Sequence, residues 1–389
     1  MSLRETSSQQ RIARVEQVEE RIVLSASPWP ALALHGELGS DVHVNPAHEV
    51  CALPEGNGLD SIAITPQLGG AHAATGVASV RAEYGFDGTG QTVVVIDSGI
   101  AYDHYALGAS YGTGSRVVGG WDFAENDADP YDDAPAGYHG THVAGIIGSD
   151  DATYTGVASG VDLVALRVFD DAGNGSFEWV DQALQWVIDN QDSFVNPITT
   201  VNLSLGVPGA NYADAPVWAA TLDAKFQTLN EVGIFVSVSA GNDFEMFNAK
   251  GLSYPAVSDW VVPVASANDA GTAMSSFSQR DDRVLVAPGE SITSTVPDEL
   301  FSFDGTPNDW ASASGTSMAS PYVAGVSVLV REAYAFMGET NVDQTMIYDS
   351  LFDTANLIFD PITGGNYHFI NVEAALDSII TDTLSDDSG

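Results

Sequence analysis

Lysine is almost absent from this chain: Lys225 and Lys250 are the only two, and Lys and Arg together number 12 against 53 Asp and Glu. The formal net charge of -41 repels phosphates and anionic headgroups and attracts cationic groups and divalent ions, so nucleic acid is not expected as a partner. Cysteine is as scarce. Cys51 stands alone and cannot close an internal disulfide, although it could pair with another chain. No run of 18 or more apolar residues occurs, so no membrane span is expected. There is no internal repeat. The N-terminus lacks the pattern of a standard signal peptide, because Arg4, Arg11, Arg14 and Arg21 lead only to a short apolar piece that breaks at Ser25. Acidity with so little lysine fits either a protein kept soluble in high salt, where screening removes self-repulsion, or a generically acidic secreted enzyme.

What is present is enough for a large core. The 389 residues are 44% hydrophobic, which suits one large domain with extensions or two domains. Apolar runs, several nearly continuous in Val, Ile and Leu, predict strands over Thr92–Ile96, Val161–Val168, Thr199–Leu205, Gly233–Ser239, Trp260–Ala265 and Arg283–Ala287. Between them lie helical patterns, the clearest over Phe177–Asn190, where Phe177, Val180, Leu184, Val187 and Ile188 make one face. Further helices are expected over Val342–Ala355 and Asn371–Ile379. The alternation predicts an α/β fold, a parallel sheet flanked by helices on both faces. Residues 1–68 read as an N-terminal extension and linker, 69–380 as the principal domain and 381–389 as a polar acidic tail.

Ser314-Gly315-Thr316-Ser317-Met318-Ala319-Ser320-Pro321 has the makings of an activated nucleophile at a helix start. Val323, Val326, Leu329 and Val330 recur at helical spacing, and Pro321 is expected within the first turn, where its missing N–H costs nothing. Ser317 would then sit where unpaired backbone N–H groups and the helix dipole favour an oxyanion. A serine needs a base and a group to orient the base. His139, in His139-Gly140-Thr141-His142, and Asp97, directly after a strand, are the candidates. The chain order is Asp, His, Ser, which is the order of subtilisin and differs from two other triad families. A zinc protease would need His-Glu-x-x-His, and the His139–His142 spacing is shorter with no Glu, so His142 reads as packing. Ala319 removes a Gly-x-Ser-x-Gly elbow.

These three segments resemble those of the subtilisin-like serine endopeptidases over roughly residues 70–380. The resemblance implies a three-layer sandwich fold. It also implies that Asp97 orients His139, and that His139 takes the Ser317 proton and later hands it to the leaving amine. Asn242, just after a strand in Ala240-Gly241-Asn242-Asp243, would complete the oxyanion hole with the Ser317 N–H. In the family, stretches matching Gly173-Asn174-Gly175-Ser176-Phe177 and Ser204-Leu205-Gly206 flank the cleft and bind extended polypeptide by main-chain hydrogen bonds. Phe177 would border an upstream apolar pocket, Gly206 and Gly241 would leave room beside the scissile bond, and Asp243 could bias the rim toward basic residues. The implied enzyme is a secreted or cell-surface monomer. The alternative is a catalytically silent surface protein that binds peptide or calcium.

The densest carboxylate cluster is Asp122, Glu125, Asp127, Asp129, Asp132 and Asp133. Such spacing in a loop with Asn and Pro can converge on a hard cation, while a solvated charge run is the competing reading. Asp122, Glu125 and Asp127 match acidic positions of a thermitase-like calcium loop, so Ca²⁺ is expected at Asp122, Glu125, Asp127 and Asp129. The spacing is not that of an EF-hand. The short stretch Val15–Ala26 resembles the start of some large bacterial secreted and surface proteins. No folded propeptide of the family can be matched to the N-terminal extension, so it could act as a pro-region or only as a targeting tail.

Overall fold

The computed structural model describes residues 23–24, 67–133, 137–301 and 304–386. Cys51 and nearly all of the expected N-terminal extension lie outside them. After strand β1 (Val23–Leu24) come helices α1 (Gln67–Thr75) and α2 (Val77–Tyr84), then strands β2 (Thr92–Asp97) and β3 (Val117–Asp122). Helix α3 (His139–Gly148) leads to β4 (Asp162–Arg167), β5 (Gly175–Ser176), α4 (Phe177–Asn190) and β6 (Ile198–Leu203). Helix α5 (Ala220–Glu231) is followed by β7 (Phe235–Ser239), β8 (Val262–Ala267), β9 (Leu285–Pro288), β10 (Ile292–Val296) and β11 (Asp309–Ala313). The long helix α6 (Thr316–Phe336), α7 (Gln344–Asp353), β12 (Asn356–Asp360), β13 (Gly365–Phe369) and α8 (Val372–Asp386) close the chain.

Nine strands form one sheet in the order β12-β13-β9-β8-β7-β6-β2-β4-β3, parallel throughout except for the β12–β13 hairpin. The alternation of side chains along β2 shows why its apolar run is unbroken. Val93 and Val95 face a core built with α3 and α6, and Val94 and Ile96 face a second core with Val180, Leu184 and Val187 of α4 and Phe226 of α5. Helices therefore cover both faces, as the strand and helix alternation predicts. The ends of α4 and α7 are set by caps: Ser176 Oγ accepts from Glu178 N, and Asp343 Oδ1 from Met346 N.

Three strands of this sheet escape the pattern of apolar runs. β3 is interrupted by Gly119 and Gly120, and a Cβ on Gly120 would lie 2.0 Å from the Ala165 carbonyl oxygen, so only glycine lets β3 pair with β4 here. In the β12–β13 hairpin Leu357 and Phe359 are exposed, which hides the usual signal of an inward face. The last helix is also longer than the expected Asn371–Ile379: α8 runs on through Asp386. Among the described residues no helix is long and apolar enough to cross a membrane.

Helix α1 is fastened to α6 by a buried histidine. His72 Nδ1 meets the Tyr322 hydroxyl at 2.8 Å, and Nε2 lies 2.9 Å from the Thr155 carbonyl oxygen, to which it must donate. Burial pushes His72 down to about 4, against the bond to Thr155. The ring is neutral in the fold, whereas the unfolded chain takes up a proton near the ordinary value of 6.5. Stability held above pH 6.5 is therefore lost as pH falls toward 4, by on the order of 3 kcal/mol for this group. Compared with His72→Gln, whose side chain does not titrate, the wild type should lose thermal stability between pH 6.5 and 4. Parallel curves for the two proteins would contradict this.

Candidate active site

Asp97 ends β2 fully buried, and its Oδ1 lies 2.8 Å from Nδ1 of His139, itself 1% exposed at the start of α3. The same oxygen accepts from Ser98 N at 2.7 Å. This proximity needs Gly140, because a Cβ there would come within 2.1 Å of Gly99 O and 3.2 Å of Asp97 Cβ. One turn on, His142 is buried with Nε2 3.1 Å from the carbonyl oxygens of both Ile292 and Ala311, in the antiparallel β10–β11 ribbon. Burial, with the neighbouring His139 adding, pushes His142 down to about 4, which makes it a neutral donor that braces α3. The packing reading of His142 holds.

Ser317 lies in the first turn of α6 and is 6% exposed, with its hydroxyl 3.5 Å from the Ser204 carbonyl oxygen. Pro321 does not fall in that first turn. It stands five residues beyond Thr316, where its missing N–H leaves the Ser317 carbonyl without its helical partner. Ser204 Oγ supplies the replacement, donating to Ser317 O at 2.9 Å. The proline thus opens a bond that ties the serine to the end of β6. Asn242 Oδ1 accepts from both the N–H and the hydroxyl of Thr316 at 2.9 Å, so Nδ2 is the amide's remaining polar atom. Gly241 N donates to Thr316 Oγ1 at 3.2 Å. Two hydrogen-bonded groups result, Asp97 with His139 at the start of α3, and at the start of α6 Ser317 with Ser204 and Thr316 with Asn242 and Gly241; the two helices pack against each other.

The remaining expected residues gather around a second feature. Gly175 belongs to β5, which takes β1 as an antiparallel partner with Val23 opposite Ser176 and Leu24 opposite Gly175. Gly173 closes the preceding turn, donating to Asp170 O at 2.8 Å. Phe177 is half-buried, its ring 5.4 Å from Trp218 and 5.5 Å from Tyr254, while Leu205 is buried and Gly206 follows it. Asp243 Oδ2 accepts from Gly209 N at 2.7 Å, so one of its oxygens is already held by the loop.

The carboxylate cluster divides. Asp122 is buried, with Oδ1 accepting from Ala124 N and Glu125 N and Oδ2 3.3 Å from Arg167, which also pairs with Asp133 and Asp171. Asp127 and Asp129 are exposed, their Oδ1 atoms held by Asp129 N and the Tyr102 hydroxyl. No three His, Cys, Asp or Glu among the described residues are grouped to hold a metal ion. Asp132 leaves the cluster altogether: it is buried beside Ser98 and Thr141 at the start of α3. Sequence reasoning missed this network, whose only trace was the acidic residue seven positions before His139.

A family model described as "Subtilase family" matches residues 88–365. The chain belongs to the subtilase family. This subtilase is 30% identical over 310 residues to a subtilisin of Bacillus pumilus, covering 77% of this chain and 97% of that protein. It is 36% identical over 264 residues to alkaline serine exoprotease A of Vibrio alginolyticus, covering 67% of this chain and 42% of that protein. Among solved structures it is similar to a cold adapted subtilisin-like serine proteinase, with 32% identity and a TM-score of 0.56 over 73% of this chain and 90% of the other. The subtilase is a serine endopeptidase, and its sheet and helices are those of the subtilisin-like α/β fold.

Proposed function

We propose that this subtilase cleaves polypeptides outside the cell, as a single chain, through an acyl-enzyme formed on Ser317. The observation that carries the reading is the buried 2.8 Å contact of Asp97 with His139 Nδ1, beside the helix that opens with Thr316 and Ser317. Asp97 holds the proton of the imidazole on Nδ1, which leaves Nε2 as the base. Nε2 takes the Ser317 proton as Oγ attacks the carbonyl carbon, then gives it to the amine as the C–N bond breaks. Water repeats the sequence and frees the acid. Asn242 Nδ2 and the Ser317 N–H, at the positive end of α6, meet the charge on the tetrahedral oxygen.

An extended peptide would dock on Gly173–Phe177 and on Ser204–Gly206, with Gly241 beside the scissile bond. The antiparallel pairing of β1 with β5 supports this, since it is the same main-chain bonding that needs no particular side chain. By that pairing the N-terminal extension competes with substrate, which favours a pro-region over a mere targeting tail. A fluorescent fluorophosphonate should label the protein, and faster once residues 1–66 are removed. Ser317→Ala should lose labelling and ~10⁴-fold or more of peptide amide hydrolysis. Undiminished hydrolysis by folded Ser317→Ala would overturn the mechanism.

A structural Ca²⁺ ion belongs to the same proposal, held by Asp122, Glu125, Asp127 and Asp129. Asp122 Oδ2 is buried with no hydrogen-bond donor beyond its ion pair to Arg167, and a backbone bridge sets Asp127 across from Asp122, but among the described residues no three carboxylates converge, so the ion would have to draw Glu125, Asp127 and Asp129 toward Asp122. The ion neutralises the loop and takes no part in the chemistry. At a hundred times its Kd it would add about 2.7 kcal/mol. Chelation should therefore lower the thermal midpoint of the wild type by several degrees and leave Asp127→Asn unmoved. Equal midpoints with and without calcium would remove the ion from the account.

A further inference from the structure

Asp132 is a carboxylate with no exposed surface and no Lys or Arg in ion-pair contact among the described residues. Its oxygens accept three hydrogen bonds. Ser98 Oγ donates to Oδ1 at 2.8 Å, and Thr141 donates to Oδ2 through its N–H at 2.8 Å and its hydroxyl at 2.5 Å. These donors stand in for the lost hydration of a buried charge. Burial still pushes Asp132 up to about 6, against the bonds from Thr141 and Ser98.

The two partners are the neighbours of the catalytic pair. Ser98 follows Asp97, donates its own N–H to Asp97 Oδ1, and accepts from Gly140 N at 2.9 Å. Thr141 is two residues from His139, and its hydroxyl accepts from Ala101 N at 2.8 Å. The first N–H groups of a helix have no partner within it, and the Tyr138 side chain at the N-cap makes no capping bond to them. Here Ser98 and Asp132 take up those of Gly140 and Thr141. The start of α3 is thus capped by Ser98, from the turn that carries Asp97, together with Asp132.

We infer that Asp132 is a positioning residue of the catalytic centre: by bridging Ser98 to Thr141 it fixes the distance and angle between Asp97 and His139. The inference rests on the triad reading above. A cap that served stability alone would leave turnover per folded molecule unchanged. In Asp132→Asn one acceptor becomes a donor facing another donor, so one side of the bridge opens at nearly constant shape.

The test compares wild type with Asp132→Asn and Thr141→Val, measuring kcat and KM on a peptide amide. It also records the low-field proton resonance of the Asp97–His139 hydrogen bond by NMR, in a Ser317→Ala background where no turnover occurs. The expected result is a fall in kcat of ~10 to 100-fold with KM changed less than about threefold, and a shifted or broadened resonance. Folded Asp132→Asn with unchanged kcat and resonance would overturn the inference. Should Asp132→Asn fail to fold, Thr141→Val decides: a lower kcat and a moved resonance support the bridge, and wild-type values refute it. Because the resonance is read without catalysis, failure of the bridge is distinguishable from failure of Ser317 as nucleophile.

Discussion

Every residue of α6 from Thr316 to Val330 is buried, and the helix lies against β6, β7, β8 and β9 at once. With roughly 1.5 to 3 kcal/mol gained for each large apolar side chain taken from water, Met318, Val323, Val326, Leu329 and Val330 together outweigh any single polar contact at its start. A helix held that firmly cannot shift along its axis without exposing part of this row. The position of Ser317 is therefore set by the core, and the polar contacts around it refine an already fixed point. Pro321 shows the refinement: it frees one carbonyl, and Ser204 from the neighbouring strand takes it up.

The other half of the centre is joined differently. Asp97 ends a strand whose alternate side chains enter two cores, which anchor its backbone, but α3 is short and takes its cap from Ser98 and Asp132 outside the helix. Its placement depends on a close backbone approach at Gly140 and on the Asp132, Ser98 and Thr141 network. The β10–β11 ribbon braces it from the other side, through His142 and the hydroxyls of Ser294 and Thr295 on the carbonyls of residues 142 and 141. Rigid apolar burial on one side and a dense polar bridge on the other meet between α3 and α6.

Much of this was legible in the chain. Runs such as Val93-Val94-Val95-Ile96 read as strands covered on both faces, and the segments around Asp97, His139 and Ser317 stand out by their order in the chain. β3 was hidden by its glycines and the β12–β13 hairpin by its exposed Leu357 and Phe359, since strand signals rest on apolar alternation. Asp132 was legible only as one acidic residue among six, because burial is a property of the fold and no spacing announces it. Pro321 reads as a first-turn residue because a proline deeper in a helix is costly, and the compensating hydroxyl lies 117 positions earlier in the chain.

If Asp97, His139 and Ser317 act as one device, a double-mutant cycle shows it. Members of such a unit lose activity non-additively, a behaviour established for subtilisin itself. Measured as kcat/KM on folded protein, Asp97→Asn and Ser317→Ala should each be severe. The double mutant should be no more than a few-fold worse than Ser317→Ala alone. Losses that multiply, or an Asp97→Asn protein close to wild type, would mean that the 2.8 Å contact between Asp97 and His139 does not serve the serine.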